Sequence, residues 1–263
     1  MPIAFPADAL QEFRLLTDEL EDSLRAAGTV VDVQKRLGSV EWESLGKNAR
    51  QLLGYISKNK NIDVTPIYRG LLVALAGAFE HFVRRLIRDA ITFYNERVTR
   101  FDDVPEKLRH QNILRTGKAL ATIAQPFDHW PVNYEQVGKN IATCTAGATG
   151  FVLNADAFTG AVSNLTSPQL ETILEQRLGF TLNWDDVGRV IPMQKLLGKV
   201  DTNTTANAAK AELQAFIKLR NKIAHTGSGG VTISSPDLAR LIAFFRLLAT
   251  AMGSALRKHV DRL

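Results

Sequence analysis

A single cysteine in 263 residues, Cys144, excludes an internal disulfide. Without further cysteines beside the histidines, a structural zinc site is excluded as well. Cys144 stands in Ala142-Thr143-Cys144-Thr145-Ala146 with no activating histidine nearby, so it reads as a packed thiol and not as a nucleophile. Internal repeats and low-complexity tracts are missing. Long apolar runs are scarce: the longest, residues 70–79, is broken at Glu80 and is too short to cross a bilayer. The opening Met1-Pro2-Ile3-Ala4-Phe5-Pro6-Ala7-Asp8 lacks a basic stretch followed by an apolar one, which reads as no secretory signal. The expectation is a cytoplasmic protein with no membrane partner.

What is present is ordinary for a globular chain. Hydrophobic residues make up 45% and charged residues 22%, and the length suffices for one self-sufficient core spanning 1–263. Lys and Arg number 32 against 27 Asp and Glu, a net charge of +5. That balance favours an anionic partner mildly and does not by itself specify nucleic acid.

Helical periodicity dominates the pattern. Leu10, Phe13, Leu16, Leu20 and Leu24 predict a helix over 8–27, stopped at Gly28; Trp42, Leu45, Ala49, Leu52 and Ile56 predict another over 40–57, capped by Ser39. The strongest signal runs from Pro66 to about residue 98, with Leu71, Leu72, Leu75, Phe79, Phe82 and Leu86 on one stripe. A further helix is expected over 105–123. Residues 127–167 change texture to glycine, threonine, asparagine and aromatics and read as an irregular insertion, a short hairpin around 150–160, or helical fragments. Helices resume at Ser167-Pro168, at 184–197 with a break near Pro192, at 203–226, and from Ser235-Pro236-Asp237 to about residue 260. The fold class is all-α: a helical bundle with an irregular insertion at 127–167.

The candidate chemistry lies in Arg220-Asn221-Lys222-Ile223-Ala224-His225, at the end of the penultimate helix and before Gly227-Ser228-Gly229-Gly230. An imidazole takes or gives protons near neutrality, and a helix C-terminus favours its protonated form. The guanidinium of Arg220 always carries charge and matches a phosphate with its fork of donors. Asn221, one turn before His225, is placed to orient the ring or to meet a phosphate oxygen. None of the other four histidines has an arginine five positions before it. Arg220 interrupts the apolar row Ala209, Leu213, Phe216, Ile223, and Glu80 interrupts Val73, Ala76, Val83, Ile87. A charge facing a core must be paired or must line a cleft, so the two are expected to pair. Residues five apart on a straight helix project about 140° from each other. Arg220 and His225 therefore share a phosphate only if the arginine reaches around, the last turn loosens, or a dimer cleft straddles the helix end.

Other features read as structural. The acidic pairs Asp102-Asp103 and Asp185-Asp186 suit loop caps better than metal sites, and His81 has no metal spacing with another His or Cys. Phe127-Asp128-His129-Trp130 reads as an aromatic anchor, Tyr94 as packing, and Arg84/Arg85 as a solvated helix face. The glycine-rich stretch follows a helix instead of joining a strand to one, so it is no ordinary phosphate-binding loop.

The run Arg220 to Gly227 resembles the signature of the HEPN superfamily, whose ribonucleases carry Arg, four to six residues, then His. Gly77-Ala78-Phe79-Glu80-His81-Phe82-Val83-Arg84-Arg85-Leu86 resembles the group labelled RiboL-PSP-HEPN, in which a glutamate of an aromatic-rich helix precedes the Arg–His helix. The resemblance implies a HEPN-like bundle that dimerises around one cleft. It implies cleavage of RNA such as tRNA or mRNA, without metal or other cofactor, through the ribose 2′-hydroxyl. It further implies a toxin or antiviral defence role, with an antitoxin or defence-system partner. His225 would move protons, Arg220 would steady phosphate charge, Asn221 would position the phosphate and Glu80 would hold Arg220, while Lys222, Arg84 and Arg85 would contact RNA backbone. A non-catalytic HEPN module that binds a partner protein or a nucleotide remains the alternative.

Overall fold

Leu72, Leu75, Phe79, Phe82, Leu86 and Ile87 recur every three or four residues and are buried along one 33-residue helix. That helix organises the molecule. The computed structural model describes residues 6–36, 46–58, 63–121, 133–226, 230 and 232–262. Among the described residues there are ten α-helices: α1 (Ala7–Arg36), α2 (Lys47–Lys58), α3 (Thr65–Arg97), α4 (Glu106–Ala121), α5 (Tyr134–Thr143), α6 (Ser167–Leu178), α7 (Trp184–Gly188), α8 (Ile191–Leu197), α9 (Thr202–Thr226) and α10 (Ser235–Val260). No strand occurs among them; a lone bridge joins Arg100 to Thr149. The all-α class read from the periodicity is what the chain adopts.

Local chemistry sets the helix ends. Pro66 opens α3 in its first turn, where its missing N–H costs nothing. Ser234 and Asp237 cap each other at the start of α10, each side chain meeting the other's backbone N–H. Gly179 ends α6 with φ 65°, a left-handed conformation that glycine adopts without strain. Gly188 answers a different need: a Cβ there would stand 2.1 Å from the Thr202 carbonyl oxygen, so only glycine lets α7 approach the start of α9.

The core forms where α1, α3, α9 and α10 meet. Phe13 of α1 lies 5.2 Å from Phe82 of α3 between ring centroids; Phe79 of α3 lies 4.8 Å from Phe245 of α10, which in turn is 4.5 Å from Phe216 of α9. These tilted and edge-to-face contacts suit aromatic quadrupoles. They also fix the residues that matter next, because Glu80 follows Phe79 and Arg220 stands one turn beyond Phe216.

Several boundaries differ from the periodicity reading. The first helix does not stop at Gly28 but continues to Arg36; an interior glycine costs about 1 kcal/mol, too little to end a helix whose following residues tolerate it. The expected Ser39 cap, Trp42 and Leu45 fall outside the described residues, and α2 is described from Lys47. The break expected near Pro192 is present: residues 184–197 form two helices, with Pro192 in the first turn of the second. The apolar run at 70–79 is not the most membrane-like segment: α10 is long and apolar enough to cross a bilayer by length and composition, with mean hydropathy 1.4, and 61% of that window is buried within the fold.

Of the readings left open for 127–167, helical fragments describe the part that is seen; residues 127–132 lie outside the described residues. Asn133 caps α5 by accepting from the Gln136 N–H, and a 3-10 turn follows at Ala155–Phe158. No hairpin forms around 150–160. Phe151, Leu153, Phe158, Val162 and Leu165 are buried in the same core as the bundle, so this stretch contributes to the interior despite its irregular backbone.

Candidate functional site

Glu80 is only 6% exposed, and a carboxylate buried so deeply costs several kcal/mol unless it is partnered. Its partners come from three directions. Oε1 accepts from the backbone N–H of Asn164 at 2.8 Å and from Arg220 Nη2 at 3.4 Å, while Oε2 stands 3.8 Å from Arg84 Nη2. The structure thus joins Glu80 of α3 to Arg220 of α9, the two charges that interrupt apolar rows.

Arg220 is held on both arms of its fork. Nη1 donates to Asn164 Oδ1 at 2.8 Å and to Asn221 Oδ1 at 2.9 Å, and Nη2 faces Glu80. Its Nε is shielded from solvent with no acceptor among the described residues. The side chain retains 21% exposure, so part of the guanidinium still reaches solvent. Asn221 is used to orient Arg220, and nothing in the structure brings it to the His225 ring.

Asn164 is the residue that sequence reasoning missed. It has φ 52°, in the left-handed region where asparagine is one of the few tolerated side chains. That geometry turns its backbone N–H toward Glu80 and its amide oxygen toward Arg220 at once. The only sequence signal was the polar run Ser163-Asn164 between Val162 and Leu165, and no periodicity links it to residue 80 or residue 220.

His225 contrasts with this frame. It lies in the last turn of α9, fully on the exposed side, and makes no hydrogen bond or ion pair among the described residues. The last turn does not loosen. The helix runs through Thr226, whose hydroxyl donates to the Lys222 carbonyl at 2.6 Å. Arg220 turns inward to Glu80 while His225 is exposed, and no hydrogen bond joins the two. Lys222 is exposed beside them.

Arg84 and Arg85 do not form the solvated face expected for them. Arg84 donates from Nη2 to the Val162 carbonyl at 2.8 Å, and Arg85 Nε lies 2.9 Å from Glu12 of α1. Both are half-buried, and both are tied to neighbouring elements. His81 is also half-buried, with Nε2 at 3.0 Å from Glu12.

The remaining candidates are structural. Burial pushes the Cys144 thiol up, and its Sγ lies 3.4 Å from Asn112 Nδ2. Burial likewise pushes the Tyr94 hydroxyl up to about 12. Asp102 accepts from the Gly147 N–H at 2.9 Å, and Asp185 and Asp186 sit in the first turn of α7. Among the described residues no group of three His, Cys, Asp or Glu is placed to hold a metal ion. Phe127-Asp128-His129-Trp130 and Gly227-Ser228-Gly229 lie outside the described residues.

The family model described as RiboL-PSP-HEPN matches residues 43–258, a span that contains Glu80, Asn164, Arg220 and His225. The chain belongs to the RiboL-PSP-HEPN family. No curated protein and no solved structure matches it. HEPN domains are helical modules that often have ribonuclease activity, and the helical bundle here carries the superfamily's Arg–His spacing at the end of α9.

Proposed function

We propose that this HEPN protein is a metal-independent endoribonuclease that cuts RNA such as tRNA or mRNA, acting as a toxin or antiviral defence effector. The observation that carries the reading is the way Arg220 is built. A buried carboxylate, a strained asparagine and a neighbouring amide hold one guanidinium, yet leave part of it open to solvent. A purely structural ion pair has no need of that opening. The toxin and defence role, with an antitoxin or defence-system partner, rests on the family alone.

In the proposed reaction the ribose 2′-oxygen attacks the adjacent phosphorus and the bond to the 5′-oxygen breaks. The 2′-hydroxyl loses a proton and the leaving 5′-oxygen gains one, giving a 2′,3′-cyclic phosphate and a 5′-hydroxyl. His225 carries out proton transfer, for which an exposed imidazole with no partner among the described residues is suited. Arg220 offsets the charge that grows on the phosphate, and Glu80 and Asn221 keep its fork oriented so that little reorganisation is needed in the transition state. Lys222 meets the RNA backbone. On this reading the working site is a cleft between two copies, where one imidazole accepts a proton and its symmetry mate donates one.

The test is incubation of purified protein with total tRNA and mRNA in EDTA, beside Arg220→Ala and His225→Ala. Wild type is expected to yield fragments with 5′-hydroxyl and cyclic phosphate ends, and both variants are expected to yield none. An inert wild type, or variants as active as wild type, would support the alternative of a non-catalytic module that binds a nucleotide or a partner protein. Thermal melts accompany the assay, because Arg220→Ala strands buried Glu80 and costs ~3 kcal/mol or more, whereas exposed His225 leaves little behind.

A further inference from the structure

His81, Arg84, Arg85 and Arg88 occupy positions i, i+3, i+4 and i+7 of α3, which places four basic groups on one helix face. Like charges at such spacing repel one another. They line a cavity of about 350 Å3, whose opposite wall includes Thr159, Gly160 and Ser163. Of the residues that line the cavity three are arginines and one, Asp156, is an acid. Glu12 is shared by His81 and Arg85, and Asp156 meets Arg88 at 3.0 Å. Glu80 is divided between Arg84 and Arg220. Asp89 also faces Arg85 and Arg88, whose charges oppose the rise that burial imposes on its carboxyl.

The donors are also under-used. A guanidinium has five N–H donors. Arg84 gives one Nη to the Val162 carbonyl, and its other nitrogens have no hydrogen-bond acceptor among the described residues. Arg85 and Arg88 face their carboxylates through Nε, which leaves their Nη groups without acceptors among those residues. The cavity's loop wall is itself held by a cation. Arg177, 2% exposed, donates to the Phe158 and Ala161 carbonyls at 2.5 and 3.3 Å and has no ion-pair partner among the described residues. Burial first, then Arg115 and Arg84, bring it down to about 10. Free guanidinium donors and excess positive charge in a concave site call for an anion with several acceptor oxygens.

We propose that this cavity is a phosphate subsite that takes the phosphate of a single nucleotide unit, with Arg85 and Arg88 as its principal ligands. A volume of about 350 Å3 suits one such unit and not a duplex. Two sources offer the same chemistry: a backbone phosphate of a bound RNA strand, or a free mononucleotide. The strand source rests on the ribonuclease reading. It fits the chain order, because Ser163 lines the cavity and the next residue, Asn164, holds Arg220. A strand phosphate here would flank the phosphate to be cut.

The experiment measures binding, so it does not depend on cleavage. A fluorescein-labelled 2′-O-methyl oligoribonucleotide has no free 2′-hydroxyl and resists the proposed reaction; its affinity is read by fluorescence anisotropy for wild type, Arg85→Gln, Arg88→Gln, Gly160→Glu and the remote control Arg189→Gln. A Cβ at Gly160 meets nothing within 4 Å, so the new carboxylate enters the wall without crowding. Each arginine variant is expected to bind roughly tenfold more weakly, the size of a lost charge-assisted hydrogen bond, and Gly160→Glu more weakly still, with melting temperatures and the control unchanged. Adenosine monophosphate and inorganic phosphate are then titrated as competitors. Displacement by adenosine monophosphate at concentrations where inorganic phosphate has no effect makes the free nucleotide the occupant, displacement by neither makes it the strand, and displacement by inorganic phosphate as readily as by the nucleotide overturns the assignment to a nucleotide unit. The proposal is overturned if wild type binds none of the three ligands, or if all pocket variants bind within twofold of wild type. An enzyme that cuts RNA while its pocket variants bind normally would sink the subsite alone. A protein that never cuts RNA but binds through the pocket would sink the ribonuclease reading alone.

Discussion

In the bundle of α1, α3, α9 and α10, backbone groups satisfy one another along each helix and the side chains are left free to pack. Residues 144–166 work the other way round: their side chains join the core, and bundle side chains reach out to satisfy their backbone. Asn95 of α3 donates to the Leu153 carbonyl at 3.0 Å and accepts its N–H at 2.8 Å. Asn112 of α4 accepts the Asn154 N–H at 3.0 Å, while Arg84 and Arg177 serve the carbonyls of Val162, Phe158 and Ala161. The buried side chain of Asn154 completes the net with Asn140, Thr116 and Val137. A buried backbone must find partners somewhere; the first region finds them within its helices, the second in part from the side chains of other elements. The candidate site lies on the seam, with Glu80 and Arg220 from the regular side and Asn164 from the irregular one.

The contrast can be broken from either side. Phe79→Ala removes a ring 1% exposed that touches Phe245 and Phe82, and is expected to cost ~3–5 kcal/mol in denaturant unfolding through the cavity it leaves. Asn154→Ala is expected to cost ~1–3 kcal/mol, because it strands polar partners but opens a smaller void; equal losses would mean that the two regions are held alike. Asn164 sharpens the seam itself. Asn164→Gly keeps the left-handed backbone and loses only the oxygen facing Arg220, so RNA cleavage should fall roughly tenfold with melting nearly unchanged. Asn164→Ala should lose the same activity and a further ~1 kcal/mol of stability, the penalty of a Cβ in that conformation.

The smallest expected effect is titration. Burial against Phe180 lowers the His259 imidazole below its ordinary 6.5, outweighing its hydrogen bond to the Leu178 carbonyl. The folded state therefore resists protonating it. The stability it contributes is present above about pH 6.5 and is lost as pH falls through the lowered value. A melting-temperature series from pH 7.5 to 5 should fall more steeply for wild type than for His259→Gln.

The bundle was legible because apolar spacing reports burial directly. α3, α6, α9 and α10 appear within a residue or two of where the pattern put them, and Glu80 and Arg220 were visible as charges in apolar rows. Gly28 misled because a glycine stops a helix only when the chain then needs a left-handed residue. Asn164 was invisible for a different reason. Its role depends on a backbone angle and on partners 84 and 56 residues away, and no local period encodes either. Arg84 and Arg177 were obscured in the same way, since the carbonyls they serve belong to a segment with no repeat.

Asn164 engages Glu80 through its main chain and Arg220 through its side chain, so one peptide unit couples the state of a loop to the aim of a guanidinium. Small rearrangements around residues 158–164 would misdirect Arg220 while every long helix stayed folded. Chemistry in such a molecule is more fragile than helicity, and it would be extinguished or restored by whatever grips that loop.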